Sequence, residues 1–314
     1  MIERKLISIV VPVYNESLNV KELYKRIISN FASGLYNYEI IFVDNSSKDD
    51  TVDKINSIIC QDNNVRCILM SRNFGTAQPS IIAGIKEASG DAVVTIDGDL
   101  QDPPETIKEF IRKWEEGYQV VYGVRAKRRG PIIMKVGYWA FSVLFKKLSY
   151  MDYPLFTGDY GLIDEIVASE IRKLHENDIV YRGIRAWVGF KQTGIEYTRY
   201  DRKKGSSSSG IIKNLKWAAR WICNFSDKPL QWISNLAVIS AIIALSSIIY
   251  YIYSHFSRSD IPTGITTIVI LIIVFSSIQL LSLSIIGAYI ALIVREIKGR
   301  PNYIVKEVIN KKKV

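Results

Sequence analysis

The sequence predicts an α/β protein: an open, mostly parallel sheet with helices on both faces, continued by a two-helix membrane hairpin. Three observations lead there. Short Val- and Ile-rich runs alternate with helix-patterned segments along the N-terminal part. Two later stretches, Pro229 to Ser257 and Ile261 to Val294, contain no Asp, Glu, Lys or Arg. The residues before them have a water-soluble composition. A chain of 314 residues, 48% hydrophobic and 23% charged, is therefore neither disordered nor one wholly soluble domain.

The predicted strands are Leu6–Val13, Tyr38–Val43, Val65–Met70, Asp91–Ile96 and Gln119–Gly123. Their aliphatic character suits strands covered on both faces. Leu6–Val13 leads into polar Asn15 and Glu16, not into the small residues of a cleavage site, so a strand is expected there and a cytoplasmic N-terminus. Between strands, Ile107, Phe110, Ile111 and Trp114 in Pro104–Gly117 follow the i, i+3, i+4, i+7 spacing of a one-faced helix. Val52, Ile55 and Ile59 do much the same in Asp49–Gln61.

Residues 132–150 and 211–227 mix aromatic and aliphatic residues with Lys and Arg and read as interfacial amphipathic helices. Tyr200–Gly210, YDRKKGSSSSG, is by composition a basic, Ser-rich linker. A membrane helix needs about 20 apolar residues. Both charge-free stretches qualify, giving spans at 229–256 and 261–294. Lys228 lies before them, and Arg295, Lys298, Arg300, Lys306 and Lys311–Lys313 lie after. By the positive-inside rule the soluble domain (1–228) and a basic tail (295–314) are both cytoplasmic, and the protein is expected in the cytoplasmic membrane.

The net charge of +10 fits an anionic membrane surface or a phosphate-bearing substrate, and no nucleic-acid partner is expected. Three cysteines, Cys60, Cys67 and Cys223, are too few for a disulfide framework, and two histidines leave little room for a His metal site.

Ligands of open α/β sheets bind where strands end. Asp91–Pro104, DAVVTIDGDLQDPP, ends a buried strand in Asp97-Gly98-Asp99, with Gln101 and Asp102 next. Two carboxylates split by Gly would repel without a cation, and with Gln101 they form an oxygen-only set for Mg²⁺ or Mn²⁺. Asp102 also reads as a cap for the helix begun by Pro103 and Pro104. The first strand ends in VPVYNE, where Tyr14 offers a stacking face and Glu16 an acceptor. The second ends in Asp44-Asn45-Ser46-Ser47. Singly each is ordinary turn chemistry; three polar strand ends in one sheet point to a nucleotide. Neither G-x-G-x-x-G nor a Walker sequence occurs, which disfavours an oxidoreductase.

VPVYNES, VDNSSKDDT, SRNFGTAQPSIIAGI, GDAVVTIDGDLQDPP and the C-terminal hairpin with REIKGRPNYIV resemble family-2 glycosyltransferases. The similarity runs along essentially the whole chain and is strongest to the polyprenyl-phosphate branch, which includes bactoprenol glucosyltransferases and dolichol-phosphate mannose synthases. The resemblance implies a GT-A fold, a nucleotide-sugar donor, UDP-glucose before GDP-mannose, and a polyprenyl phosphate acceptor in the bilayer. The product would be a lipid-phosphate sugar for cell-surface glycan modification. The resemblance places the donor at Pro12, Tyr14, Glu16, Asp44 and Asp97, and the metal at Asp97, Asp99 and Gln101. The family's proposed catalytic acid falls on Asp159, in Gly158-Asp159-Tyr160-Gly161-Leu162, as a base or an organiser. The acceptor-phosphate Arg falls on Arg202, with Lys203 and Lys204 beside it, and Arg125 matches another basic position. Asn45-Ser46 replaces the usual Asp-Gly, Gly161 a common Arg, and Ser208 a common Lys. The alternative readings are a GDP-mannose-using mannose synthase and a non-enzymatic membrane scaffold. A processive synthase would need more spans and a Q-x-x-R-W motif, and Trp187 sits in RAWVG instead. Single hairpins often pack against copies of themselves, so a homo-oligomer is among the expected partners.

Overall fold

A computed structural model describes residues 4–126, 157–176, 180–200, 224–257 and 264–310, with isolated positions at 143, 145, 147–149 and 222. The chain divides into two compact units. One comprises Met1–Lys146, Met151–Ser209 and Gly299–Val314; the other comprises Lys147–Tyr150 and Gly210–Lys298.

The first unit is built on an eight-stranded sheet of order β7-β5-β6-β4-β1-β2-β3-β8. The strands are β1 (Leu6–Val13), β2 (Asn37–Asp44), β3 (Val65–Met70), β4 (Ala92–Thr95), β5 (Val120–Arg125), β6 (Thr157–Asp164), β7 (Gln192–Tyr197) and β8 (Val305–Ile309). The centre, β4-β1-β2-β3, is wholly parallel. β6 runs antiparallel to both β4 and β5, and β8 antiparallel to β3. β7 is parallel to β5.

The helices are α1 (Val20–Ile28), α2 (Thr51–Ile59), α3 (Gln78–Glu87), α4 (Ile107–Glu115), α5 (Glu165–Lys173) and α6 (Tyr181–Trp187). Strand alternation divides the core in two. Ile7, Ile9, Val11 and Val13 of β1 pack with α1, α2 and α4, while Val10 turns to the other face with α3, α5 and α6. Each such fully buried aliphatic side chain stabilises the fold by about 1.5–3 kcal/mol relative to exposure. α4 buries Ile107, Phe110, Ile111 and Trp114, the stripe its spacing predicts. Asp164 caps α5 by accepting from Ile166 N at 2.9 Å, and its other oxygen accepts from Trp114 Nε1 at 2.6 Å.

Residues 305–309, a basic tail by sequence, form an edge strand of the sheet. Lys306 and Glu307 mask the strand pattern there, and an edge strand tolerates such charges on its open side.

In the second unit, α7 (Lys228–Ser257) and α8 (Ile265–Ile297) are long helices that touch each other. Ile239, Ile242, Leu245 and Ile249 of α7 are exposed, as are Leu271, Ile272, Leu280, Leu281 and Ile293 of α8. Exposed apolar surface on this scale marks a membrane or protein interface. Among the described residues, Val274–Ile297 is the one stretch long and apolar enough to cross a membrane. Tyr289 Oη donates to the Ser226 carbonyl at 2.6 Å, and Ser226 Oγ donates to the Leu148 carbonyl at 2.8 Å, so α8 is tied to the start of α7. Most of the segments 132–150 and 211–227, read from sequence as interfacial helices, lies outside the described residues.

Candidate active site

The sheet's directions gather the site. β1, β2, β4, β5 and β7 all end at one edge. β6 runs the other way, so its first residues, Thr157 to Asp159, start at that same edge. Pairing of Thr95 with Gly161 and of Val124 with Thr157 fixes this register. Asp159 is a strand residue, and Thr95 Oγ1 donates to its carbonyl.

A cleft of about 420 Å³ opens at this edge, lined by Pro12, Tyr14, Glu16, Asn45, Asp97 and Asp99 among others. Its rim is built from turns held in the left-handed region: Asn15 (φ 55°) after β1, Ser46 (φ 64°) after β2 and Leu100 (φ 59°) after β4. Such conformations cost free energy and concentrate at functional sites. Side chains lock the first two turns together. Asn15 N donates to Ser47 Oγ at 2.9 Å, Lys48 N to Asn15 Oδ1 at 2.8 Å, and Glu16 N to Thr51 Oγ1 at 2.9 Å. Glu16 accepts from Asn19 Nδ2 at 2.6 Å.

Asp44 is 2% exposed. Its Oδ2 accepts from Ser47 N at 3.0 Å, and its Oδ1 has no hydrogen-bond partner among the described residues. Burial holds its carboxyl above the usual range. The hydroxyl of Ser80, on the cleft wall, is likewise buried and unpartnered among the described residues. Both groups can accept the N–H donors of a nucleobase, and Ser80 can also donate.

Asp97 and Asp99 flank Gly98, where a Cβ would lie 2.8 Å from Val13 Cγ1 and 3.0 Å from the Pro12 carbonyl oxygen. Only glycine lets the acidic segment run this close to β1. The two carboxylates converge: Asp97 Oδ2 and Asp99 Oδ2 lie 3.9 and 4.0 Å from the same nitrogen, Arg199 Nη2. Burial, then repulsion from Asp102, Asp99 and Asp159, holds the Asp97 carboxyl above its usual range, and Arg199 opposes this. Two hard oxygen ligands facing one cationic point fit a divalent ion that completes its shell with water and phosphate oxygens. Among the described residues, no group of three or more His, Cys, Asp or Glu side chains could hold a metal ion unaided. Gln101 N donates to Asp99 Oδ1 at 3.1 Å, while the Gln101 side-chain amide donates to the Tyr200 carbonyl at 3.4 Å.

Asp102 is 1% exposed and anchors a second network. Its Oδ1 accepts from Tyr197 Oη at 2.6 Å and lies 3.3 Å from Arg199 Nε. Arg125 Nε donates to Tyr197 Oη at 3.4 Å. Burial, then the Asp102 charge, pushes the Tyr197 phenol up, so it stays protonated and donates. Gly158 lets Arg125 approach the start of β6, because a Cβ there would lie 2.7 Å from Arg125 Nη2. Asp159 Oδ2 accepts from Gln78 Nε2 at 2.8 Å, and Gln78 Oε1 accepts from Tyr181 N at 2.7 Å. Arg182 Nε lies 3.8 Å from Asp159 Oδ1.

The edge thus brings together Pro12, Tyr14, Glu16, Asp97 and Asp99 on the cleft, with Asp44 directly before the cleft residue Asn45 and Arg125 against the segment carrying Asp159. Arg202, Lys203 and Lys204 lie outside the described residues. Sequence reasoning misses Gln78, Arg182, Tyr197 and Arg199. For the last two a signal exists: Tyr197 and Arg199 alternate on one side of an extended segment, but β7 is not among the predicted strands.

The glycosyl transferase family 2 model matches residues 8–156. A Bacillus subtilis glycosyltransferase, YkcC, is 40% identical over 301 residues, covering 96% of this chain and 93% of that protein. The bactoprenol glucosyl transferase of Shigella phage SfII is 33% identical over 303 residues, covering 96% of this chain and 97% of its own. Among solved structures, the glucosyl-3-phosphoglycerate synthase of Mycobacterium tuberculosis with Mn²⁺ and UDP-glucose matches at TM-score 0.47 and 18% identity, over 71% of this chain and 80% of that one. With motifs, site and near full-length relatives in agreement, the chain belongs to glycosyl transferase family 2.

Proposed function

We propose that this enzyme transfers a hexose, glucose from UDP-glucose, to a membrane polyprenyl phosphate with inversion at the anomeric carbon. The observation that carries this reading is the juxtaposition at one sheet edge of a nucleotide-sized cleft, the Asp97/Asp99 pair and the Arg125–Asp159–Arg182 group. The full-length similarity to proteins named bactoprenol glucosyl transferase supports the acceptor.

Asp44 and Tyr14 would hold the nucleoside, with Pro12 and Glu16 shaping the pocket. Asp97, Asp99 and Gln101 would hold Mg²⁺ or Mn²⁺, which when bound offsets the charge of the leaving diphosphate. A phosphate monoester has its second pKa near about 6, so the acceptor is mostly a dianion at neutral pH and needs no base. Its oxygen attacks the anomeric carbon as the bond to the diphosphate breaks. Asp159 is already engaged by Gln78 and Arg182, which suits an organiser of cations and sugar hydroxyls. Arg125, Arg202, Lys203 and Lys204 would hold the acceptor phosphate, Arg with two parallel bonds.

Chain connectivity supports two spans. The chain leaves the sheet unit after Ser209 and rejoins it at Gly299, and β8 pairs with β3. A chain that returns to the same sheet crosses a bilayer an even number of times. If α8 crosses, α7 crosses too, which keeps the sheet and the C-terminus on one side.

Purified protein should be warmed with UDP-glucose, other UDP-sugars or GDP-mannose in the presence of Mn²⁺. A donor at about 100 times its Kd stabilises by about 2.7 kcal/mol. UDP-glucose should raise the melting temperature most; a larger shift with GDP-mannose would overturn the donor assignment.

A further inference from the structure

Arg199 has no role in the function proposed above, yet it sits where that function would put a metal ion. Its Nη2 is nearly equidistant from Asp97 Oδ2 and Asp99 Oδ2, at 3.9 and 4.0 Å. These distances exceed a hydrogen bond, so neither carboxylate holds the guanidinium tightly. Its Nε lies closer to an acid, 3.3 Å from Asp102 Oδ1, in an ion pair without hydrogen-bond geometry, and that buried carboxylate accepts its hydrogen bond from Tyr197. The neighbouring backbone is fixed as well: Tyr200 N donates to the Gln101 carbonyl at 2.9 Å. One end of Arg199 is therefore ion-paired with Asp102 while the other lies between two acids.

We propose that Arg199 is a positioning residue, a built-in counter-cation for Asp97 and Asp99 that a divalent metal displaces. The proposal rests on the metal reading given above. Without metal, three carboxylates within one short segment need a compensating charge, and Arg199 supplies it. Mg²⁺ bonds carboxylate oxygens at about 2.0–2.1 Å. A divalent ion cannot share that point with a guanidinium nitrogen, so Nη2 must move away while Nε stays on Asp102. The freed fork then faces the edge where the metal brings phosphate oxygens, and becomes a bidentate phosphate ligand there. Metal loading and phosphate capture are thereby linked through one side chain.

The test is Mn²⁺ binding to purified protein without donor, followed by electron paramagnetic resonance, on wild type, Arg199→Gln, Arg199→Lys and Asp99→Asn. Losing one screened unit charge from the site should tighten Mn²⁺ binding to Arg199→Gln by about ten-fold. Arg199→Lys keeps the charge and should stay within about two-fold of wild type. A merely structural Arg199 would weaken Mn²⁺ binding when removed. Thermal melting supplies the second readout: metal-free Arg199→Gln should melt below wild type, and saturating Mn²⁺ should narrow that gap. Unchanged or weaker Mn²⁺ binding by Arg199→Gln overturns the proposal, as does a variant that stays unfolded at saturating Mn²⁺. If Asp99→Asn binds Mn²⁺ like wild type, the metal reading itself is wrong; if only Asp99→Asn behaves as expected, the counter-cation alone is wrong.

Discussion

Replacing Tyr197 by Phe removes one hydroxyl from the buried Asp102 network and little else. Asp102 Oδ2 has no hydrogen-bond partner among the described residues, and Oδ1 accepts from Tyr197 at 2.6 Å. Without the phenol, Oδ1 keeps the Arg199 Nε contact at 3.3 Å. A hydrogen bond to a charged group contributes about 1.5–3 kcal/mol, and an orphaned buried acceptor adds to its loss. We expect Tyr197→Phe to destabilise by about 2 kcal/mol, or about 4–8 °C for a domain of this size. The pH dependence sharpens the test. Burial raises the folded Asp102 pKa, so its ionisation costs stability as pH rises through that value. Tyr197 favours the ionised form and lessens this cost. The deficit of Tyr197→Phe should therefore be largest at neutral pH and shrink as acid protonates Asp102. Melting curves at several pH values, repeated on an Asp102→Asn background, measure it. A deficit that is independent of pH would refute the reasoning, and so would one as large beside the neutral amide of that background as beside the carboxylate.

Three further outcomes are expected. Ser46→Gly should raise stability by about 0.5–1 kcal/mol, because Ser46 sits at φ 64°, where a side chain costs about 1–2 kcal/mol and glycine's added entropy offsets only part; a lower melting temperature would count against strain at that turn. Gly98→Ala should cost about 1–3 kcal/mol through its clash with Val13 and the Pro12 carbonyl, and should weaken donor binding by displacing Asp97 and Asp99; unchanged melting and nucleotide affinity would contradict this. With the native cysteines removed, Ser259→Cys should react with an impermeant thiol reagent on intact cells and Lys312→Cys should not; equal labelling of both, or labelling of Lys312→Cys alone, would exclude the two-span topology.

The parallel centre of the sheet is legible because β1 to β4 are largely buried on both faces and read as aliphatic runs. β6 is not: Thr157–Asp164 carries two glycines and two acids, and its burial comes from pairing between β4 and β5. Missing β6 hides the reason Asp159 joins the site, since an antiparallel strand delivers its first residues, not its last, to the functional edge. β7 is hidden by Gly194 and Glu196, and with it Tyr197 and Arg199. The acid pair and the polar ends of β1 and β2 are visible because short polar residues directly after aliphatic strands are few. The partners that position them come from distant segments: Gln78 lies 81 residues from Asp159, and Tyr197 lies 95 from Asp102. Long-range hydrogen bonds of this kind leave no periodic trace in a sequence.

Transfer of a sugar from a nucleotide donor to a lipid phosphate is the step on which the proposed function stands. The most direct measurement incubates purified protein with UDP-glucose labelled in the sugar, polyprenyl phosphate in detergent and Mn²⁺, then extracts the lipid phase and determines the anomeric linkage. We expect label in a lipid that releases glucose under mild acid, with a β linkage, and none with Asp99→Asn. Label that stays in water as free glucose, or an α-linked lipid product, would contradict it.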